Sequence, residues 1–235
     1  MKAGIICAGD REVFPLIPMI QERRTAEKAM LTIHEGWIEG VPVAVLFSGV
    51  CKVNAAVAAQ ILMDCFGCGC LINAGTAGGM APDLNIFDTV VADEAVYHDV
   101  EPSILTEFHP WIENGSFKAD PKLLEIARKA IEVMPPERRV MIGRMATGER
   151  FIEDDLRDWI NSRFTPLTVD METAAIAHAC HVNRKPFIAV RTITDTPDHR
   201  GKGAFEENCG RAAQLSAEFV QIMLRVSGWR ERDDV

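Results

Sequence analysis

The sequence predicts an α/β fold with a mixed central sheet. Apolar runs rich in Val, Ile and Ala alternate along the chain with longer helix-like segments, the order of elements seen in α/β proteins. Two of these runs, at residues 29–35 and 41–48, lie close together, and Gly36, Gly40 and Pro42 mark the break between them. No helix fits there, so the two strands pair antiparallel and the sheet is mixed.

The elements follow in order along the chain. Strands are expected near residues 2–8, 29–35, 41–48, 69–75, 87–96, 139–147, 166–171 and 186–194. Helices are expected near 11–23, 52–65, 121–134, 153–163, 172–183 and 205–228. The helix at 121–134 has the clearest start, because Asp120 can cap it and Pro121 suits the first helical position. The segment 99–119 has no clear period and is expected to be a long loop.

Size and charge limit the classes of function. The chain has 235 residues, 48% of them hydrophobic, and a net charge of −9. We expect residues 1–235 to form one domain with a large core. The acidic balance argues against nucleic acid or an anionic membrane as a partner, and no apolar run approaches the roughly 20 residues of a membrane span. Without a signal-peptide pattern, a soluble cytoplasmic protein is expected.

The cysteines do not predict a disulfide framework or a metal site. There are seven, an odd number, scattered along the chain. Cys65, Cys68 and Cys70 form the one cluster, and only Cys180 with His181 could serve as a second pair for a metal. We expect buried small side chains there, and no metal or organic cofactor.

Three carboxylates follow predicted strands. Glu172 comes after the run 166–171, Asp195 ends the run 186–194, and Glu12 follows the first strand. Ligands of open α/β sheets bind at the carboxyl ends of the strands, so these residues predict an acid/base site. Each has a simpler reading: Glu172 as a residue at a helix N-terminus, Asp195 as a turn residue, and Glu12 as a first-turn acid.

A glycine-rich turn is a weaker signal. Asn73–Gly79 follows an apolar strand and supplies small residues where the backbone turns or approaches a ligand. The turn has neither the Gly-Lys-Ser/Thr of a phosphate-binding loop nor the spacing of a dinucleotide fingerprint. Ser48-Gly49-Val50 ends another strand in a similar way.

Together these segments resemble the 5′-methylthioadenosine/S-adenosylhomocysteine nucleosidase family, within the nucleoside phosphorylase superfamily. The resemblance runs almost end to end. It is carried by residues 1–6 with Glu12, 48–50 with 52–53, 73–79, 93–95 with 97–99, 147–148 with 151–152, 169–172 with 174 and 176–178, and Arg191 with Asp195. Each motif alone is only moderately specific, but their order along the chain is highly specific.

The resemblance implies a three-layer αβα sandwich, usually a homodimer, that hydrolyses the bond between adenine and ribose. In that family pattern Asp195 is the general acid that protonates adenine N7, and Glu12 activates the attacking water. Glu172 binds the 2′- and 3′-hydroxyls of the ribose. The other expected substrate-binding residues are Val50, Thr76, Gly78, Phe151, Ile152, Met171, Arg191 and Phe205.

These residue types suit the chemistry. Adenine leaves poorly as an anion, so the C–N bond breaks readily only when a ring nitrogen is protonated first. A carboxyl group can supply that proton near neutral pH if burial or like charges raise its pKa. The transition state resembles an oxocarbenium ion, which nearby carboxylates stabilise.

The sequence also departs from the family pattern. Gly9 stands where members often have Met, Cys7 and Cys51 where glycine is usual, and Thr76 where Ser is common. The segment 100–111 has lost the usual loop pattern, although Phe108, His109 or Trp111 could serve the 5′ pocket or a dimer interface. The 5′ substituent is therefore open between methylthioadenosine, adenosylhomocysteine, 5′-deoxyadenosine and aminodeoxyfutalosine.

Two other functions are alternatives. A phosphorylase would use phosphate in place of water, but the turn Ile72–Thr76 has no basic residue to bind it. A non-catalytic nucleoside-binding protein would not need Glu12, Glu172 and Asp195, and all three are present.

Overall fold

Ten strands form one mixed sheet among the residues that the structure describes. The structure is a computed structural model, and it describes residues 1–108, 112–152, 154–199 and 201–230. The strands are β1 (Ala3–Cys7), β2 (Gln21–Lys28), β3 (Leu31–Ile38), β4 (Val41–Phe47), β5 (Cys70–Gly79), β6 (Thr89–Tyr97), β7 (Ser116–Lys118), β8 (Val140–Thr147), β9 (Thr168–Asp170) and β10 (Phe187–Asp195). The helices are α1 (Asp10–Val13), α2 (Lys52–Asp64), α3 (Pro102–Glu107), α4 (Pro121–Glu132), α5 (Asp154–Phe164), α6 (Thr173–Val182) and α7 (Gly201–Val226).

The first half of the sheet is built around β1. This strand lies between β4 and β5 and runs parallel to both, so that Ile5 pairs with Val45 and with Ile72. Strands β4, β3 and β2 then extend the sheet as an antiparallel meander. The predicted antiparallel pairing of 29–35 with 41–48 is confirmed, and so is the mixed sheet.

The second half of the sheet closes into a ring of five strands. Strand β5 runs parallel to β10, β10 antiparallel to β6, and β6 parallel to β8. Strand β8 runs parallel to β9, which returns antiparallel to the end of β5. Gly78 of β5 therefore pairs with Asp195 on one side and with Val169 on the other. Ring closure brings the end of β10 and the turn after β9 to the same place.

Helices cover both faces of the sheet. Successive residues of β1 and β4 belong to opposite cores, since Ile6 and Leu46 join one while Ile5 and Val45 join the other. Helices α2 and α6 complete the first core, and α4 and α7 complete the second. The fold is therefore the three-layer αβα sandwich expected from the resemblance.

The prediction of one helix at residues 11–23 is wrong. Helix α1 is a single turn, a 3-10 helix follows at Ile17–Met19, and β2 begins at Gln21. Pro15 and Pro18 lack the N–H that a continuing α-helix needs. Strand β2 lies at the edge of the sheet and its side chains are mostly exposed, so it has no apolar alternation that could reveal it.

The long loop predicted at 99–119 is only partly correct. It contains α3, which starts with Pro102 in its first turn, and β7, which pairs with β6. Both elements are too short to produce a period in the sequence. Phe108 is exposed, while His109 and Trp111 lie outside the described residues.

All seven cysteines are free thiols. Cys68 and Cys70 are buried, as expected, but Cys65 is exposed. Within the described ranges no group of three or more His, Cys, Asp or Glu residues could hold a metal ion. No helix in the described part of the chain is long and apolar enough to cross a membrane.

Candidate active site

A cavity of about 610 Å³ lies where the ends of β5 and β10 meet α1, α7 and the turn after β9. Ten of the eleven predicted site residues line it: Glu12, Val50, Thr76, Gly78, Phe151, Ile152, Met171, Glu172, Asp195 and Phe205. The eleventh, Arg191, is fully buried behind the carboxylates. The fold thus brings together residues that are far apart in the sequence.

The Glu12 carboxylate is held by donors from two loops. Its Oε2 accepts the backbone N–H of Ala8 at 2.7 Å and that of Gly9 at 3.3 Å. Its Oε1 accepts the backbone N–H and the hydroxyl of Thr76 at 2.7 and 2.8 Å. Gly75 leaves the necessary space, because a Cβ atom there would lie 2.5 Å from Oε1. Four donors fill the four acceptor positions of this carboxylate.

Glu172 stands at the N-cap of α6 and is 3% exposed. Its Oε1 accepts the backbone N–H of Cys51 at 3.0 Å, and its Oε2 accepts from Nη2 of Arg191 at 3.0 Å. Burial raises the pKa of Glu172 to about 7. Arg191 lowers this pKa, and the negative charges of Asp170 and Glu12 raise it further.

Ionised Glu172 is expected to weaken the fold as the pH rises. Its folded pKa lies above the ordinary glutamate value of 4.5, so its ionisation costs stability between that value and about pH 7. Glu172→Gln avoids this cost, and its stability relative to the wild type should be higher at pH 8 than at pH 4.5, by up to about 3 kcal/mol. Urea unfolding of both proteins at the two pH values measures the difference. A difference that is the same at both would contradict the prediction.

Arg191 of β10 places a positive charge among three buried carboxylates, those of Glu12, Asp170 and Glu172. Besides its bond to Glu172, its Nε lies 3.2 Å from Oδ2 of Asp170 and its Nη1 lies 3.6 Å from Oε1 of Glu12. The same Nη1 donates to the carbonyl oxygen of Thr76 at 3.2 Å. One guanidinium therefore partners three carboxylates, which makes their burial tolerable.

Asp170 belongs to this network but is not among the predicted site residues. Its Oδ1 accepts the N–H groups of Glu172 and Thr173, at 3.2 and 3.1 Å, which satisfies free donors at the start of α6. The same atom accepts the hydroxyl of Thr147 at 2.6 Å. An acidic residue three positions before a helical residue has capping spacing, and that signal could have identified Asp170.

Asp195 lies at a bulge where β10 ends. The register against β5 shifts between Ile193 and Asp195, and such a shift changes the direction of a side chain. Asp195 is 2% exposed, and its Oδ1 accepts the hydroxyl of Thr194 at 2.9 Å. Burial raises the pKa of Asp195, while Thr194 and Arg157 oppose the rise. Asp195 therefore keeps a proton to higher pH than an exposed aspartate does.

Apolar side chains form another part of the wall. The rings of Phe151 and Phe205 meet edge to face, with centroids 6.1 Å apart and planes at 75°. Ile152, Met171 and Val50 line the same space. The cavity can therefore hold a flat aromatic group against apolar side chains and a polyhydroxyl group against Glu172.

Cys51 is strained at the N-terminus of α2. Its φ is +84° and its ψ 163°, a region in which only glycine is comfortable. Cys51→Gly keeps the N–H that Glu172 accepts and should raise the free energy of unfolding by about 1 kcal/mol, because relief of strain outweighs the added entropy of the unfolded chain.

Thermal and urea unfolding test this expectation. Cys65→Gly is the matched control, since Cys65 has an ordinary φ of −97° and gains nothing from glycine. It should be slightly less stable than the wild type. A Cys51→Gly protein that is no more stable than the wild type would show that the backbone there is unstrained.

Comparison with known proteins gives consistent matches. The family model of the Phosphorylase superfamily matches residues 2–225. A 5′-methylthioadenosine/S-adenosylhomocysteine nucleosidase from Anoxybacillus flavithermus is 34% identical over 228 residues, which cover 95% of this chain and 98% of that protein.

Two solved structures are similar along almost the whole chain. The 5′-methylthioadenosine/S-adenosylhomocysteine nucleosidase of Neisseria meningitidis, in complex with methylthio-immucillin-A, has a TM-score of 0.87 and 30% identity, covering 95% of this chain and 98% of its own. The corresponding nucleosidase of Colwellia psychrerythraea, in complex with adenine, has a TM-score of 0.89 and 33% identity, covering 98% and 97%.

Proposed function

We infer that this chain, which belongs to the 5′-methylthioadenosine/S-adenosylhomocysteine nucleosidase family of the phosphorylase superfamily, hydrolyses the N-glycosidic bond of a 5′-substituted adenosine. The products are adenine and the 5′-substituted ribose. The observation that carries this function is the cavity itself, in which Glu12, Glu172 and Asp195 are all buried and line one space.

We propose Asp195 as the general acid that protonates adenine N7. Its burial and its raised pKa favour a carboxyl group that holds its proton to higher pH than an exposed aspartate does. Phe151 would stack on the base, and the backbone of Ile152 would form hydrogen bonds with it. Protonated adenine leaves as a neutral base, and the sugar develops positive charge.

We propose that Glu12 positions and activates the attacking water. Three of its four donors are backbone N–H groups, whereas the fourth is the hydroxyl of Thr76, which can rotate away. Water could take that position on Oε1 and lose a proton to the carboxylate as it attacks. Asp195 would protonate the leaving group and Glu12 would activate water, the same division between acid and base that inverting glycosidases use.

Glu172 would accept the 2′- and 3′-hydroxyls of the ribose and help to stabilise the oxocarbenium ion. Arg191 would keep it in place through the bond between Nη2 and Oε2. Met171 would lie against the ribose, and Val50 and Phe205 would surround the 5′ substituent. No step in this sequence needs a metal or an organic cofactor.

The charges near Glu12 favour water over phosphate as the nucleophile. Arg191 is fully buried and already engaged by Glu12, Asp170 and Glu172. A phosphate dianion beside Glu12 would therefore meet the repulsion of its carboxylate, although Arg11, Arg150 and Lys202 also line the cavity. This favours hydrolysis over the phosphorylase alternative.

A panel of three nucleosides tests the substrate class. We expect methylthioadenosine to be cleaved and 5′-methylthioinosine to be cleaved much more slowly. The 2′-deoxy analogue of methylthioadenosine lacks one hydroxyl that Glu172 would accept, so its rate should also be lower. Initial rates from the absorbance change on release of the base provide the comparison. Equal rates for the adenine and hypoxanthine compounds would contradict the proposed recognition of the base.

We also propose that the chain forms a homodimer through the groove between α2 and α6. Val53 and Val57 lie one helical turn apart on α2 and are 73% and 46% exposed, and Val182 of α6 is 45% exposed. Val53 and Val182 line the same groove. Exposed aliphatic side chains of this kind are typical of homodimer interfaces.

Substitution in the groove is expected to dissociate the dimer. Val53→Glu would bury a carboxylate without a partner in the dimer interface. This variant should therefore be monomeric at micromolar concentration, while the wild type is dimeric. Val133→Glu, at a position 61% exposed beyond α4, should leave the dimer intact. Light scattering coupled to size-exclusion chromatography measures the masses, and a monomeric wild type would contradict the proposal.

A cytoplasmic location is part of the same proposal. All seven cysteines are free thiols, as expected in a reducing compartment.

A further inference from the structure

A buried arginine lies behind Asp195 and has no part in the mechanism above. Arg157 belongs to α5, is 7% exposed and does not line the cavity. Its Nη1 donates to the carbonyl oxygen of Gly79 and lies 3.3 Å from the sulfur of Met80. Its Nη2 lies 3.9 Å from Oδ2 of Asp195. Burying a guanidinium is costly, so its placement against this carboxyl group calls for a physical role.

We propose that Arg157 is a positioning residue that acts through Asp195. Its guanidinium, anchored on the end of β5, holds the Oδ2 side of the carboxyl group and favours its ionised form after the proton has passed to the base. The inference rests on the proposed function, because it assigns a role within the same reaction.

The geometry supports both parts of this role. Oδ1 of Asp195 is fixed by the hydroxyl of Thr194, and Arg157 approaches the other oxygen from α5. Helix α5 is tied to the end of β5 a second time, since the side-chain amide of Asn161 donates to the carbonyl oxygen of Met80 at 3.3 Å. The guanidinium therefore stands in a fixed place relative to the carboxyl group.

The charge of Arg157 also has a chemical consequence. Burial raises the pKa of Asp195, and a general acid works best with a pKa near the operating pH. A cation at this distance opposes the effect of burial on the pKa of Asp195. Arg157 thus makes Asp195 a stronger acid than burial alone would.

Other charged groups border the same space. The other charged or titratable residues of the cavity wall come from α1, from the segment before α5, from β9 and the turn after it, and from α7: Asp10, Arg11, Glu12, Arg150, Asp170, Glu172, Lys202, Glu206 and Cys209. Of the described residues, Arg157 is the cation that forms an ion pair with Asp195. Substituting it changes the charge next to Asp195 and leaves those groups in place.

The test is the pH profile of kcat/KM for methylthioadenosine in the wild type, Arg157→Gln and Arg157→Lys. The general acid must be protonated, so the decrease of kcat/KM at high pH, the alkaline limb of the profile, reports the pKa of Asp195. Arg157→Gln keeps a donor for Gly79 but loses the charge, and its alkaline limb should move upward by about 1–3 pH units. Arg157→Lys keeps the charge, and its limb should stay close to that of the wild type.

A purely structural role would lower kcat or stability in both variants without moving the limb, and that result would overturn the proposal. A second readout does not depend on turnover: the side-chain carboxyl carbon of Asp195 can be titrated by ¹³C NMR, with Asp195→Asn identifying its signal. An unchanged titration in Arg157→Gln would also overturn it. If the wild type releases no adenine at any pH, the proposed function fails, while the NMR titration still shows whether Arg157 lowers the pKa of Asp195.

Discussion

Asp195→Asn is expected to lower kcat for adenine release by about 10³-fold or more, because the amide has no proton to give to N7. The fold should persist, since the side-chain oxygen of Asn can still accept the hydroxyl of Thr194 as Oδ1 does now, although its NH₂ group then faces Arg157 and lowers the free energy of unfolding. Steady-state rates with methylthioadenosine measure the loss, and thermal unfolding measures the state of the fold.

Asp198→Asn is the matched control for this variant. Asp198 is exposed, lies three residues further along the chain and does not line the cavity. It should keep the wild-type rate. If Asp195→Asn retained more than about a tenth of the wild-type kcat at neutral pH, Asp195 would not be the general acid, since such acids contribute about 10²–10⁴-fold.

Glu12→Gln is expected to reduce turnover by about 10²–10⁴-fold while nucleoside binding persists. The amide cannot take a proton from water. Its NH₂ group must also replace one oxygen that now accepts the N–H of Ala8 or Thr76, so two donors would face each other. We therefore expect a loss of stability of about 1–3 kcal/mol as well.

Calorimetric titration with methylthioadenosine separates these effects, because the folded fraction of Glu12→Gln should still bind. Asp10→Asn is the control, since Asp10 is the neighbouring exposed carboxylate that competes for the role in the sequence. Normal turnover in Glu12→Gln, or a severe loss in Asp10→Asn, would refute the assignment of Glu12 as the water-activating residue.

The layout of the fold could be predicted where local pattern and tertiary structure agree. The pairing of 29–35 with 41–48 follows from their spacing, and the start of α4 follows from Asp120, whose side chain accepts the N–H groups of Lys122 and Leu123. Strand β2 could not be predicted in this way. It is stabilised by pairing with β3 at the edge of the sheet and not by burial of its own side chains.

The site shows a similar division. Glu12, Glu172 and Asp195 could be identified because each follows a strand or opens a helix. Ring closure of the sheet brings Glu172 and Asp195 together, and the pairing of β1 with β5 brings Glu12 to the same cavity. Arg157 could not be ranked above other charged residues in the sequence, and the capping signal of Asp170 does not reveal its ion pair with Arg191. Their importance comes from distances to Arg191 and Asp195 that only the folded chain creates.

Adenine release from methylthioadenosine in phosphate-free buffer, repeated with added phosphate, tests whether this protein is a hydrolase. Chromatography separates adenine, free methylthioribose and the sugar 1-phosphate. We predict adenine and free methylthioribose in equal amounts under both conditions. No reaction without phosphate, together with sugar 1-phosphate when phosphate is added, would identify a phosphorylase and contradict the role of Glu12 in activating water.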